Sequence, residues 1–244
     1  MKLRCAILDD YQSVALAKAD WGLIEDRVEV RSSPRHIPSQ DELVDAIGDC
    51  EIVVIMRERT PFPAELFARL PRLRLLITSG MRNAAVDLTA AAAHGVTVCG
   101  TTSTSTAPAE LTWALILGLA REVVAENTAL RAGGPWQRTV GADLHGRRLG
   151  VLGLGNIGSQ VARVGQAFGM EVVAWSQNLT AERAAAVDVR LARTMAELLE
   201  TSDVVSVHLV LGDRTRGLIG AAELERMRPS AYLVNTSRAA IVDQ

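Results

Sequence analysis

The run Gly153-Leu154-Gly155-Asn156-Ile157-Gly158 is the sharpest chemical signal in the chain. A G-x-G-x-x-G string alone is weak, but this one follows the apolar run 149–152. It also opens a stretch in which Ile157, Val161, Val164 and Phe168 fall on one helical face. In that context the first glycine permits a tight turn and the second lets the backbone approach a pyrophosphate. The third lets helix and strand pack closely, and the helix N-terminus turns free N–H donors toward the anion. A bare strand–helix turn with no ligand is the competing reading. A dinucleotide site also commonly carries an acid about 20 residues on, for the adenosine ribose. Here the segment reads Ala174-Trp175-Ser176-Gln177-Asn178, so Ser176 and Gln177 stand where that acid is expected. Without a carboxylate nothing repels a 2′-phosphate, yet the nearest downstream arginine is Arg183. NAD is favoured because nothing recruits a phosphate, and NADP stays open.

These residues must be held by a regular frame, and its pattern runs the length of the chain. Short β-branched runs at 5–8, 28–31, 52–56, 75–78 and 96–99 alternate with helical stretches at 13–25, 41–47, 63–70 and 88–94. Strands that alternate with helices imply parallel βαβ units, since a parallel return needs a crossover. A polar stretch at 101–106 interrupts the series. Pro108 then suits a first helical turn, and a long helix is expected over 109–132, closed by Gly133-Gly134-Pro135. It reads as a connecting spine, or as a helix of one domain. A second series places strands at 149–152, 171–175, 189–191, 204–209 and 232–235. Thr194-Met195-Ala196-Glu197 has the capping-box form, and Pro229 ends a helix begun near Ala221. The expected class is α/β, with two doubly wound parallel-sheet domains, over 1–105 and 136–244, joined by 106–135. The second is a Rossmann nucleotide-binding domain.

Composition narrows the partners. Of 244 residues, 48% are hydrophobic and 22% charged, an ordinary globular balance. Lys plus Arg is 26 and Asp plus Glu 28, a formal charge of −2, which argues against nucleic acid or an anionic membrane as partner. No apolar run approaches the roughly 18 residues of a membrane helix. The opening Met1-Lys2-Leu3-Arg4-Cys5 runs straight into Ala6-Ile7-Leu8-Asp9-Asp10, unlike a signal peptide. Cys5, Cys50 and Cys99 are odd in number and lack metal-ligand spacing, which predicts buried reduced thiols, no metal and a cytoplasmic location.

Five strings then act together: Pro108-Ala109-Glu110-Leu111-Thr112, Arg131-Ala132-Gly133-Gly134-Pro135-Trp136, the glycine loop, Asp203-Val204-Val205-Ser206-Val207-His208-Leu209, and Met227-Arg228-Pro229-Ser230-Ala231-Tyr232-Leu233-Val234-Asn235-Thr236-Ser237-Arg238. The chain thereby resembles the D-isomer-specific 2-hydroxyacid dehydrogenases along its whole length. The resemblance implies hydride transfer between a nicotinamide and a small anionic 2-hydroxy or 2-oxo acid, with 1–105 a flavodoxin-like substrate domain. It implies that Arg238 binds the substrate carboxylate and polarises the carbonyl, for which a rigid, permanently charged guanidinium fork is suited. Thr112, His208, Leu209, Val210, Asn235, Thr236 and Ser237 would line the cofactor cleft. Ser79-Gly80-Met81-Arg82 matches the family loop whose backbone N–H groups hold the carboxylate, and Arg57 and Arg59 match arginines near the active site. The family usually dimerises through its nucleotide-binding domains, so a homodimer is expected.

Three departures bear on activity. The family often has glycine where Arg82 stands and asparagine where Thr104 stands. Its Glu–His pair, which supplies the proton donor and raises that donor's pKa, lies beyond the Asn-Thr-Ser-Arg string, and Gln244 comes six residues after Arg238. His36, His94, His145 and His208 match neither that motif nor its position. The expectation is a dehydrogenase cut short, its last strands missing and this chain inactive by itself. The alternative is a non-catalytic NAD(H)-binding module, like the corepressors that share the fold.

Overall fold

The computed structural model describes residues 1–243, which divide into one unit over Met1–Ser103 and another from Thr104 onward. In the first, the apolar runs form β1 (Leu3–Ile7), β2 (Val28–Ser32), β3 (Ile52–Ile55), β4 (Leu75–Thr78) and β5 (Thr97–Gly100). Helices α1 (Gln40–Ile47), α2 (Ala64–Ala68) and α3 (Leu88–Ala93) supply the crossovers after β2, β3 and β4. The sheet is parallel throughout, in the order β2-β1-β3-β4-β5. That is the flavodoxin-like doubly wound order, whose switch point falls between β1 and β3. Phe62, Leu66, Phe67 and Leu76 fill the core beside it.

Residues 13–25 depart from expectation. They form two short 3-10 turns, Ala15–Ala17 and Trp21–Ile24, in place of a helix. Acidic side chains capture the backbone there: Asp10 accepts from the N–H groups of Val14 and Ala15, and Asp20 accepts from Gly22. Such local bonds compete with a helical ladder. Cys5 and Cys50 are buried as expected, whereas Cys99 is exposed because β5 is the edge of its sheet.

The second unit opens with α4 (Thr106–Ala120) and α5 (Val123–Arg131). The single long helix expected here is broken at Glu122, which takes a left-handed φ of 50° between them. Helix α4 packs into this unit's core. Trp113 packs 5.0 Å from Phe168, ring centre to ring centre, and donates its indole N–H to Val161 O at 3.3 Å. Then follow β6 (Arg148–Leu152), α6 (Asn156–Ala167), β7 (Glu171–Trp175), α7 (Ala181–Ala185), β8 (Arg190–Leu191), α8 (Met195–Thr201), β9 (Val204–Val207), α9 (Ala221–Arg226) and β10 (Tyr232–Asn235). The hydroxyl of Thr194 caps α8 by accepting from Glu197 N at 3.0 Å. This sheet is also all parallel, in the order β10-β9-β6-β7-β8. Its reversal of strand order lies between β6 and β9, where an open α/β sheet leaves a crevice at the strand C-termini. No described helix is long and apolar enough to cross a membrane.

Candidate functional site

The glycine loop leaves β6 at that reversal. Gly153 has a φ of 100° and donates to Trp175 O at 2.9 Å, carrying the ladder one residue past the strand. A Cβ on Gly153 would lie 2.7 Å from His208 O, and one on Gly158 would run into Gly153 O, with Val151 Cγ1 a further 3.1 Å contact. Both positions need glycine for the fold itself. Gly155 does not: its φ is −91°, open to any residue, and a Cβ there would meet nothing within 4 Å. It stands at the N-terminus of α6 with no side-chain cap, before the first-turn N–H groups of Asn156, Ile157 and Gly158. The open space over Gly155 and the uncapped N–H groups beside it fit what a dinucleotide pyrophosphate would need.

The neighbouring strand ends supply the rest of the crevice. Ser176 and Gln177 follow β7 immediately, half-buried and exposed respectively. His208 follows β9, with its N–H donating to Leu152 O at 2.7 Å and Nε2 lying 2.8 Å from the Ser206 hydroxyl. Burial pushes its imidazole down to about 4, so it is neutral near pH 7. Leu209 is half-buried and Val210 exposed. Past β10, the Asn235 side chain closes the 235–238 turn. Its Oδ1 accepts from Ser237 N at 3.0 Å and its Nδ2 donates to Arg238 O at 2.9 Å. The Ser237 hydroxyl ties the turn to β9 by donating to Val207 O at 2.9 Å. Arg238 is half-buried and directs Nη1 to Ser237 O at 3.0 Å. Gly153, Ser176, His208 and Arg238 thus all lie past the C-terminal ends of neighbouring strands of the sheet.

Thr112 corrects its expectation. It is fully buried, so it presents no surface to a ligand, and its hydroxyl lies 2.8 Å from Thr236 Oγ1. Ser206, fully buried beneath His208, is the residue that pattern reading missed. A serine inside an apolar strand two places before a histidine was the available signal.

In the first unit, Arg57 leaves β3 with a left-handed φ of 54°, its carbonyl held by Asn83 Nδ2 at 2.6 Å. Its guanidinium rests on Gly80, where a Cβ would lie 2.6 Å from Cζ. Gly80 has a φ of 84°, and its N–H donates to Thr101 Oγ1 at 3.0 Å. That N–H is therefore engaged within the fold, whereas Met81 and Arg82 are both exposed. Arg59 lies 4.4 Å over the Tyr11 ring and donates to Asp9 O at 3.0 Å. Asp9, buried, also accepts from Thr60 at 2.7 Å and sits 2.9 Å from His36 Nδ1. Among the described residues no cluster of His, Cys, Asp and Glu could hold a metal ion.

Known proteins give this geometry a context. Residues 113–244 match the family model described as D-isomer specific 2-hydroxyacid dehydrogenase, NAD binding domain. A glyoxylate reductase of Aeropyrum pernix is 41% identical over 188 residues, covering 73% of this chain and 56% of its own length. A D-3-phosphoglycerate dehydrogenase of Mycobacterium bovis is 34% identical over 232 residues, covering 94% of this chain and 43% of its own. This chain therefore spans about half the length of these relatives. A crystal structure of phosphoglycerate oxidoreductase from Vibrio cholerae superposes with a TM-score of 0.93 at 34% identity, over 99% of this chain and 78% of that one.

Proposed function

Because the chain belongs to the D-isomer specific 2-hydroxyacid dehydrogenase family, we propose that it serves the NAD-dependent interconversion of a 2-hydroxy acid and its 2-oxo acid. The observation that carries this is the contrast within the glycine loop. Gly153 and Gly158 are demanded by the fold, whereas Gly155 faces open space at the N-terminus of α6, the room a pyrophosphate would use. Asn156, Ile157 and the α6 N-terminus would hold the pyrophosphate, and Ser176 and Gln177 the adenosine ribose. Leu209, Val210 and the residues Asn235, Thr236 and Ser237 would border the nicotinamide half. When bound, the nicotinamide supplies the hydride that adds to C2 of the oxo acid, or accepts it from the hydroxy acid.

Arg238 would bind the substrate carboxylate through its planar fork and stabilise the negative charge that develops on the carbonyl oxygen. Arg57, Gly80, Met81 and Arg82 are assigned to substrate recognition in the first unit, Gly80 by shaping the loop beneath Arg57. The oxygen also needs a proton on reduction, and His208 is unsuited to give it, being neutral and bonded to Ser206.

A homodimer is the proposed assembly. Helix α4 buries Trp113, Ile116 and Ala120 on one side and exposes Leu111, Leu115 and Leu119 on the other. Within α5, Glu126 accepts from Arg138 N at 3.1 Å and Thr139 N at 2.8 Å, holding the strap that follows the helix, from which Trp136 (80% exposed) and Val140 (86%) project. A cluster of exposed apolar side chains of this kind supports an interface with a second copy of the chain. The free thiols Cys5, Cys50 and Cys99 support a reducing, cytoplasmic setting. Calorimetric titration with NADH tests the central reading: micromolar binding abolished by Gly155→Val supports it. Unchanged affinity in that variant refutes it.

A further inference from the structure

Thr112 occupies the second turn of α4, wholly enclosed, with its hydroxyl oxygen 2.8 Å from Pro108 O and 2.8 Å from Thr236 Oγ1. A carbonyl has no proton to give, so the one proton on Thr112 goes to Pro108. The contact with Thr236 is then a hydrogen bond only if Thr236 donates. The direction of both bonds is settled by that single acceptor. Thr236 is left able to accept, but not to donate, on its exposed side.

We propose that Thr112 is a positioning residue for Arg238, acting through the Thr236 hydroxyl rather than by touching cofactor or substrate. The inference rests on the reading of Arg238 as the group that binds the substrate carboxylate. Bonds from Asn235 close the 235–238 turn on itself, and the Ser237 hydroxyl fixes it to β9. The Thr112–Thr236 bond adds a tether to α4, joining residues 124 apart in sequence. A turn held from two directions keeps a flexible guanidinium on station, and small misplacements of a binding group are costly. Valine is close in shape to threonine but lacks the hydroxyl. Thr112→Val would therefore leave Thr236 donating to nothing and loosen the turn, while Thr112→Ser keeps the acceptor.

The test uses the full-length protein and two ligands, NADH alone and then oxalate added to the NADH complex, each by calorimetry. Oxalate carries the carboxylate of a 2-oxo acid but is not reduced, so its affinity reports Arg238 without turnover. Thr112→Val is expected to weaken oxalate about five- to tenfold, the loss of one hydrogen bond, with NADH affinity unchanged. Thr112→Ser should restore the parental value. Thr236→Val should weaken oxalate to the same extent as Thr112→Val, apart from any effect of its own on NADH, and the double variant should add nothing further to the oxalate loss, as for two partners in one bond. With substrate, the same change should raise KM more than it lowers kcat. Weakened NADH with unchanged oxalate would make Thr112 a cofactor contact and overturn the proposal, as would parental affinity for both. If Thr112→Val fails to fold, Thr236→Val against Thr112→Ser carries the comparison. Arg238→Gln separates the two readings. Should it leave oxalate affinity intact, the carboxylate role fails and this proposal with it; should it weaken oxalate while Thr112→Val does not, only the positioning role fails.

Discussion

The carbonyl oxygen of His208 lies so close beneath Gly153 that a Cβ on the glycine would fall 2.7 Å from it. Two strand ends, β6 and β9, are packed backbone to backbone at the switch point, and the first glycine exists to allow it. Gly153→Ala is accordingly expected to destabilise the protein by about 1–2 kcal/mol from the left-handed φ alone, with the clash adding to this. Gly155→Val should leave the thermal midpoint near parental but weaken NADH at least about a hundredfold, about 2.7 kcal/mol. Thermal denaturation and calorimetry on the two variants give opposite patterns if the glycines have these roles. A large drop in midpoint for Gly155→Val would show that the loop is glycine-rich for structural reasons only.

Ser176 predicts weak cofactor discrimination. No carboxylate follows β7 to repel a 2′-phosphate, and no arginine lies in the 174–178 segment to attract one. Parallel titrations with NADH and NADPH should give affinities within about tenfold, or about 1.4 kcal/mol. A preference for NADH of about a thousandfold or more would require another group that rejects the phosphate.

The parts of this protein that sequence reading reached are those whose cause is local. A strand, a glycine turn and an amphipathic helix occupy 20 consecutive residues at 149–168, so their pattern is visible without tertiary information. The Asp9–Asp10 cluster was invisible for the opposite reason. Its partners Ser32, His36 and Thr60 lie 22, 27 and 51 residues away, and only the parallel sheet brings them together. Thr112 shows a subtler limit. A family motif names the residue, but whether it touches ligand or supports a neighbour depends on burial. The helix break at Glu122 was likewise hidden, because helix-compatible residues continue on both sides of it.

Disrupting the exposed face of α4 should dissociate the proposed dimer. Leu115 lies midway along the Leu111, Leu115, Leu119 stripe, so Leu115→Arg places a charge at its centre without disturbing Trp113 or Ile116 beneath. Charge buried without a partner costs several kcal/mol, enough to outweigh a typical interface margin. Sedimentation velocity should show the parental protein at twice the chain mass and the variant at the chain mass, with the same circular dichroism. A parental monomer, or a variant that remains dimeric, removes α4 from the interface.

His208 yields the pH prediction. Its folded-state pKa, about 4, lies below the ordinary imidazole value of 6.5, and burial is the cause. Above about pH 6.5 the imidazole is neutral in both folded and unfolded chains, so its neutral form costs nothing. As pH falls below that value the unfolded chain takes up a proton that the folded protein refuses. Stability contributed by this site is therefore full at neutral pH and declines between about 6.5 and 4, levelling off once the folded state also protonates. His208→Gln should flatten that part of the stability curve, measured as urea midpoints at several pH values. In the parental protein the His208 ring should titrate by NMR well below the ordinary imidazole value of 6.5. A group that has already lost its proton at neutral pH cannot be the general acid for oxo-acid reduction. The acidic and basic limbs of the pH–rate profile should then stay where they are in His208→Gln. If the variant erased one of those limbs, or if the ring titrated near 6.5, His208 would have to be returned to the list of proton donors.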